Sequence, residues 1–389
     1  MKKHLTFLLT LFLAACIAAL FLSFIVFKII YPHTIRPSGS VSITSAASGV
    51  GYYGVGMHPA PAEQTALKVS LVANLFGPQS VPKQPIKFLF FGDIMLDRHV
   101  KDKINQNGFN YLLEKLAGGE KRFFQGADVI GANLEGAVTA GGKHYPPEIS
   151  IDFAFNPDDV AQLKNYGFNF FNIANNHILD QGQTGLLETQ KNLEGLGFQY
   201  VGCPDRQIGE CSIKILDIKD IKVALLSYSM VYGTLDENKV AEQIKAAKQE
   251  TDLVVVFMHW GVEYEQEARS NQVALAHKMI DAGADVIIGS HPHVVQEMEI
   301  YNNKPIFYSL GNFIFDQYFS RETQEGMAVG LTVDNGKMEV TLLPFKSKAS
   351  QVELMSGQDK ERFLAWLAEE SKVNEEYREQ IKQGSIIIY

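Results

Sequence analysis

The sequence lacks an excess of positive charge. Its 389 residues include 35 Lys and Arg against 44 Asp and Glu, a formal net charge of −9. The first thirty residues hold three lysines and no acidic residue, so the remainder carries a net charge of −12. A broad basic surface is not supported, and we expect no nucleic-acid partner. An acidic substrate would have to be bound locally, by metal ions or by a few Arg and Lys side chains.

Charge is also missing near the N-terminus, where the segment from Leu5 to Ile30 has no charged residue before Lys28. Its 26 residues exceed the roughly 20 that a helix needs to cross a bilayer. Lys2 and Lys3 precede it and favour an N-terminus in the cytoplasm. We therefore predict a single-pass membrane anchor at residues 1–30, inserted through residues 5–30, with the rest of the chain outside the cytoplasm.

A lipoprotein signal is the alternative for this segment. Leu13-Ala14-Ala15-Cys16 resembles a lipobox, whose cysteine is acylated after cleavage. The chain stays apolar from Ile17 to Ile30, whereas a mature lipoprotein normally continues with a polar stretch, so we favour the uncleaved anchor. Both alternatives place the following domain outside the cytoplasm.

Cysteine is scarce, with three residues in the chain. Cys16 lies in the apolar segment, which leaves Cys203 and Cys211 in the exported part. In an oxidising compartment these two could form a disulfide that closes a short loop. Two free thiols are the equal alternative.

Internal repeats are absent, and the composition divides the chain into four parts. Residues 31–85 are rich in Pro, Gly, Ser and Ala and are interpreted as a stalk above the membrane. Residues 86–347 are predicted to form the main domain, and residues 348–389 a helical extension. In the extension, a charged amphipathic helix is expected from Asp359 to Gln383, packed through Phe363, Trp366 and Leu367.

The main domain alternates short apolar runs with amphipathic stretches of helical length, which predicts an α/β fold. Buried strands are expected at Ile86–Phe91, Ala127–Ala132, Phe168–Ala174, Leu253–Met258 and Asp285–Ile288. Helices are expected at Phe109–Leu116, Pro157–Tyr166, Gln183–Leu196, Lys239–Gln249 and Asn271–Ala282. Two hairpins are expected at Lys214–Ser227 and Val329–Pro344, with turns at Asp220 and Asp334-Asn335-Gly336.

Residues that can bind a metal ion, namely Asp, Glu, Asn and His, follow nearly every predicted strand. They are Gly92-Asp93, Asn133-Leu134-Glu135, Asn175-Asn176-His177, His259-Trp260-Gly261 and His291-Pro292-His293. Loops at the carboxyl ends of strands converge on one crevice in an open α/β sheet. Carboxylate, amide and imidazole groups together suit Mn, Fe or Zn, and two imidazoles flanking a proline are poor core material. The pattern therefore predicts a metal site at this edge.

These segments, in this order, resemble the motifs of the CapA family, named for poly-γ-glutamate capsule synthesis and similar to calcineurin-like metallophosphoesterases. The resemblance spans about Ile86 to Asp316. It is carried by the segments Gly92–Arg98, Asn133–Glu135, Ala174–His177, Asp180–Gly182, His259–Tyr264, Gly289–His293 and Ser309–Phe313. It implies a four-layer αββα sandwich, two packed sheets flanked by helices, with the metal centre at one edge between the sheets.

The resemblance also assigns residues to a two-metal site. Asp93 and His293 would hold one ion, Asn176, His259 and His291 the other, and Glu135 would bridge them. Catalysis would fall to His177, which would donate a proton to the leaving group, oriented by Asp180. Arg98 and Asn133 are the candidate substrate-binding residues; an ordinary surface ion pair is the alternative for Arg98, and a helix start for Asp180.

The chain departs from the metallophosphoesterase pattern at three positions. Met95 stands where those enzymes usually have histidine, Glu135 replaces a bridging aspartate, and Asn175 replaces a glycine. These departures leave open a single ion, a different reaction, or a site that binds polymer without hydrolysing it.

Three functions remain for this pattern. The first is an exported assembly factor in the synthesis, export or anchoring of an anionic envelope polymer such as poly-γ-glutamate, with membrane subunits of a polymer synthase as partners. The second is an extracytoplasmic metal-dependent phosphoesterase. The third is a non-catalytic scaffold for the synthase.

Overall fold

The computed structural model describes residues 84–143 and 151–389. The predicted anchor, the lipobox at Cys16 and nearly all of the predicted stalk lie outside these residues. Within the two described ranges, no helix has the length and apolar character needed to span a membrane.

The described residues form a mixed α/β fold, as predicted. The strands are β1 Ile86–Ile94, β2 Val129–Leu134, β3 Ala137–Val138, β4 Ala154–Phe155, β5 Phe170–Asn172, β6 Gln199–Val201, β7 Ile213–Ile218, β8 Ile221–Met230, β9 Leu253–Trp260, β10 Val286–Ser290, β11 Met298–Tyr301, β12 Lys304–Phe307, β13 Asn312–Ile314, β14 Glu325–Asp334, β15 Lys337–Lys348, β16 Gln351–Leu354 and β17 Ser385–Ile388. The α-helices are α1 Arg98–Asn107, α2 Asn110–Ala117, α3 Pro157–Gln162, α4 Gly182–Gly195, α5 Glu237–Glu250, α6 Ser270–Asp281, α7 Gly357–Glu370 and α8 Glu375–Gln383.

Two large sheets organise these strands. The first has the order β16-β15-β14-β1-β2-β5-β6, with β13 beside β1 and β17 beside β15. The second has the order β11-β12-β10-β9-β8-β7. Strands β1, β2, β5 and β6 are parallel in the first sheet, as are β8, β9 and β10 in the second. Their carboxyl ends therefore gather polar residues from several strands.

The two sheets pack face to face through aromatic side chains. The Phe257 ring lies 5.1 Å from the ring of Phe90 and 5.1 Å from that of Phe170, which joins both sheets in one core. Helices α1, α2 and α4 cover the outer face of the first sheet, and α5 and α6 cover that of the second. Apolar burial on both faces of each sheet explains why β9 and β10 read as continuous apolar runs.

Several elements differ from the predictions. The strands β3, β4, β6, β11, β12 and β13 were not predicted. Helix α1 was not predicted, because its buried stripe consists of Val100 and Ile104 alone. The prediction of a single helix from Asp359 to Gln383 is wrong, because this segment forms two helices. Helix α7 ends at Glu370, the next residue, Ser371, has an extended backbone, and α8 begins after Asn374, whose side chain accepts a hydrogen bond from the Tyr377 backbone N–H.

The C-terminal part also contributes two strands that were not predicted. β16 and β17 both pair antiparallel with β15, so residues beyond 347 complete the first sheet. The short isoleucine-rich run after α8 has a β-branched composition that favours a strand.

Candidate metal centre

The six predicted metal ligands come together at the carboxyl edge of the two sheets. Asp93 lies in β1 and His259 in β9, whereas the other four follow β2, β5 and β10. All six are buried except Asn176, which is half-buried. They are Asp93, Glu135, Asn176, His259, His291 and His293.

The glycine before Asp93 has a steric reason. The Asp93 backbone N–H donates to the Gly311 carbonyl at 3.0 Å, and a Cβ added at Gly92 would lie 1.8 Å from that oxygen. Only glycine permits this approach. The Gly-Asp pair thus fixes where the Asp93 carboxylate enters the site.

The loops around the site carry non-glycine residues in left-handed conformations. The φ angles are 48° at Arg98, 70° at Tyr264, 97° at His291 and 59° at His293. Such conformations cost free energy and persist where the surrounding structure enforces them, commonly at functional sites. The Tyr264 N–H donates to the Pro292 carbonyl at 2.8 Å, which ties two of these loops together.

Two overlapping groups of side chains within the described ranges have the arrangement of a metal site. One group is Asp93, Glu135 and His259, the other Glu135, His291 and His293, and within each group the ligand atoms lie within 4.8 Å of one another. Glu135 belongs to both groups, as a bridging ligand would. His293 Nδ1 also lies 3.3 Å from Asp93 Oδ2, and the division of the six residues between two ions that the family resemblance implies stays a prediction.

The donor atoms fit a divalent cation. Glu135 Oε1 and His291 Nδ1 are buried and have no hydrogen-bond partner within residues 84–143 and 151–389. Burial, and next the Asp93 carboxylate, raise the pKa of Glu135 well above its ordinary value. Burial lowers the pKa of His291 to about 4, and it also lowers the pKa of His259. Neutral imidazoles keep a lone pair for a metal, and a cation would offset the repulsion between the two carboxylates.

Neighbouring amides orient the ligands. His293 Nδ1 lies 3.0 Å from Asn312 Oδ1, which can only accept, so Nδ1 carries the proton and Nε2 keeps the lone pair. That Nε2 is 3.6 Å from Glu135 Oε1. Asn176 Oδ1 lies 2.7 Å from His259 Nε2, which places two predicted ligand atoms side by side.

Asn133, a predicted substrate ligand, is buried beneath the site. Its Nδ2 donates to Asp93 Oδ1 at 2.8 Å and lies 3.3 Å from Glu135 Oε2. Its Oδ1 accepts from Asn172 and Asn175 at 3.3 and 3.2 Å. Because both amide atoms of Asn133 are hydrogen-bonded and the residue is 3% exposed, it is placed to orient the two carboxylates and not to contact a substrate.

His177 and Asp180 form the predicted pair. His177 Nδ1 lies 2.7 Å from Asp180 Oδ2, and the opposite nitrogen, Nε2, lies 3.8 Å from Glu135 Oε1. The Asp180 carboxylate also accepts from the Phe153 N–H at 2.8 Å. Helix α4 begins after Gln181, so Asp180 is not its N-cap. The Nε2 side of the imidazole therefore faces the proposed metal ligands, and Asp180 fixes its orientation through Nδ1.

Arg98 lies at the rim and is engaged by Asp316. Its Nε donates to Asp316 Oδ2 at 3.1 Å and its Nη2 to Oδ1, so one edge of the guanidinium is occupied. The guanidinium also lies 5.0 Å from the centre of the Phe153 ring. This pairing with a buried aspartate is the ion-pair alternative for Arg98.

A cleft of about 350 Å³ opens beside the site. Its walls combine polar groups with exposed apolar side chains, among them Phe319 and Tyr264, which are 67% and 45% exposed. The lining residues are Arg98, His99, Ile151, Phe153, His177, Glu263, Tyr264, His293, Phe315, Asp316, Gln317 and Phe319. A substrate in this cleft would contact His177 and His293 directly.

The two cysteines of the main domain are joined in the structure. Cys203 and Cys211 form a disulfide with a Cα–Cα distance of 5.2 Å. The bond closes the loop that follows β6.

Several residues of the site were not predicted. Ser290 Oγ lies 3.0 Å from His259 Nδ1, Asn312 orients His293, and Glu263 lines the cleft. Asn312 and Glu263 occur within motifs that carried the family resemblance, but their positions in the sequence do not predict which residues they contact. Met95, which stands in place of a ligand histidine, is fully buried, and its sulfur accepts from the Asp97 N–H at 3.0 Å.

Some known sequences similar to this chain carry names that refer to capsule or PGA biosynthesis. The pattern of the family described as bacterial capsule synthesis protein PGA_cap matches residues 87–317. The capsule biosynthesis protein CapA of Bacillus anthracis is 32% identical over 300 residues, covering 72% of each chain. The PGA biosynthesis protein CapA of Bacillus subtilis is 30% identical over 313 residues, 73% of this chain and 80% of that protein.

Two solved structures are similar at a lower level. A hypothetical protein from Thermus thermophilus has a TM-score of 0.45 at 15% identity, covering 70% of this chain and all of that one. A phosphatase from Mycoplasma pneumoniae has a TM-score of 0.39 at 16% identity, covering 70% of this chain and 92% of that one. Scores this low assign no function. The sequence matches, together with the motifs that surround the site, show that the chain belongs to the bacterial capsule synthesis protein PGA_cap family.

Proposed function

We propose that this protein acts outside the cytoplasm, anchored through residues 5–30, in the synthesis, export or anchoring of a poly-γ-glutamate capsule. The family and the relatives named for capsule and PGA biosynthesis support the choice of polymer. Because one membrane segment cannot form a polymer channel, membrane subunits of a polymer synthase are the proposed partners.

The proposed site is a two-metal centre of the metallophosphoesterase type that binds Mn, Fe or Zn. The observation that carries this proposal is the position of Glu135, whose carboxylate is shared by both ligand groups and has an unpaired oxygen within the described residues. Asp93, Asn176 and the three ligand histidines would complete the centre. When bound, such ions lower the pKa of a water molecule and stabilise charge at the bond under attack.

The proposed reaction is hydrolysis of a γ-amide bond of the polymer. The oxygen of water would end in the new carboxylate, and the C–N bond would break. The leaving nitrogen needs a proton, and His177 is placed to supply it at Nε2 while Asp180 holds Nδ1. Asn133 would keep the carboxylates of Asp93 and Glu135 in position.

Hydrolysis of a phosphodiester is the second candidate. The mixed carboxylate, amide and imidazole donor set and the adjacent His177–Asp180 pair suit phosphoryl transfer equally well.

The test is the hydrolysis of poly-γ-glutamate and of a generic phosphodiester by full-length protein in detergent, beside the His177→Gln variant. We expect polymer cleavage that the variant loses by about 100-fold while its metal content is unchanged. Cleavage of the phosphodiester alone would select the second candidate. A metal-loaded protein that cleaves neither would favour the non-catalytic scaffold.

A further inference from the structure

A second set of exposed side chains flanks the metal centre on the side away from the cleft. The strand order places it there, because β6 lies beyond β5 in the first sheet and β8 lies beyond β9 in the second. The cleft lies at the other flank, where Phe315 and Gln317 follow β13. The loops after β6 and β8 carry Arg206 and Tyr232.

Asp205 ties these two loops together. Its Oδ1 accepts from the Ser229 hydroxyl at 2.6 Å and from the Val231 N–H at 2.9 Å, and its Oδ2 accepts from the Tyr232 N–H at 3.1 Å. The Arg206 N–H donates to the Ser229 carbonyl at 3.0 Å. The Cys203–Cys211 disulfide closes the first loop around these contacts. Both loops are thus fixed relative to the sheets.

Arg206 is held against this scaffold with its charge toward solvent. Its backbone has a φ of 61°, and its side chain lies along Gly233, where an added Cβ would be 2.9 Å from Arg206 Cδ. Its Nε is 3.4 Å from Asp205 Oδ2, yet the side chain is 53% exposed. A guanidinium in this setting can bind an anion with its remaining N–H groups.

Tyr232 lies between the loop that carries Arg206, which its N–H contacts at Asp205, and the predicted metal ligand Asn176. The ring is 66% exposed, and its hydroxyl accepts from Asn176 Nδ2 at 3.4 Å. The other amide atom of Asn176 is the one beside His259 Nε2. A substrate chain leaving the centre over Asn176 would therefore pass Tyr232 and reach Arg206.

We infer that Arg206 binds an anionic group of the substrate next to the one at the metal centre, with Tyr232 packing against the connecting chain. This rests on the proposed function, because poly-γ-glutamate carries one carboxylate on every residue. The substrate then lies across the centre, from Tyr264 and Phe319 on one flank to Arg206 on the other. The site is thereby assigned to internal bonds of an extended polyanion and not to a small terminal ester.

The test measures affinity for γ-linked glutamate oligomers of increasing length, using metal-loaded full-length protein. Arg206→Gln should weaken binding of long oligomers about tenfold, the typical effect of losing one charge-assisted hydrogen bond. Its metal content and its affinity for free glutamate, which has no neighbouring residue to reach Arg206, should equal those of the wild type. Arg206→Lys, which keeps the charge, should recover part of the loss. Arg378→Gln, an equal change of charge on α8, is the matched control and should bind normally.

The outcomes separate the two proposals. Wild-type binding that increases with length and is unaffected by Arg206→Gln would overturn the assignment of Arg206 and leave the proposed function standing. A metal-loaded wild type that binds no γ-glutamyl oligomer of any length would overturn both. Equal weakening by Arg206→Gln and Arg378→Gln would show a general charge effect and would also overturn the assignment.

Discussion

At the level of single residues, the site contains buried charged and polar groups that lower the stability of the fold unless a ligand compensates them. Asp93 and Glu135 are two buried carboxylates that share the amide of Asn133, and such a pair is costly without a compensating cation. The residues that meet at the site were predictable because each lies at the end of a strand or in the loop that follows it. Their orientation was not, because Ser290 and Asn312 act through distances that only the fold creates.

Asp180→Asn tests the role of the pair with His177. The amide oxygen can still accept from the Phe153 N–H, but the charge that stabilises a protonated imidazole is lost. We expect turnover to fall about 10- to 100-fold with metal content and thermal stability unchanged. Loss of bound metal in this variant would instead make Asp180 part of the centre. Asp158→Asn, at an exposed position near the start of α3, is the control.

At the scale of the element, apolar periodicity predicted the central strands and most helices, because both faces of each sheet are covered. The C-terminal elements were harder, since four residues between α7 and α8 turn the chain and a four-residue strand gives little periodic signal. β17 nevertheless lies on the open side of β15 and closes part of the core.

Ile386→Ala tests the contribution of β17. Ile386 is fully buried among residues of the core between the sheets, whereas Ile387 points the other way and is half-buried. We expect Ile386→Ala to lower the free energy of unfolding by about 2–4 kcal/mol, and Ile387→Ala to lower it by about 1 kcal/mol or less. Chemical denaturation of both variants measures the difference. Equal effects would mean that β17 is not packed as described.

At the scale of the whole molecule, charge opposes the proposed substrate. The chain has a net charge of −9, so a polyanion approaches against a repulsive field and is bound only where local cations gather. The sequence predicted this conflict, but not its local solution, because the placement of Arg206 beside Tyr232 depends on the meeting of β6 and β8.

The conflict predicts an unusual salt dependence. Raising ionic strength from about 0.01 M to about 0.15 M shortens the Debye length and screens the repulsion. We expect the association rate of poly-γ-glutamate with the metal-loaded protein to increase several-fold, whereas that of a neutral polyglutamine of equal length stays constant. Stopped-flow mixing measures both rates. A rate that falls with salt would indicate a basic docking surface that the account does not contain.

Glu135 is proposed to join two metal positions, and elemental analysis of the metal content of the full-length protein tests this role. After equilibration with Mn or Zn and removal of free metal, the wild type should retain about two ions per chain. Glu135→Gln, an isosteric change that removes only the charge, should retain less than one while remaining folded. A folded wild type that retains no metal, or a Glu135→Gln variant that retains as much as the wild type, would show that Glu135 does not join two metal ions.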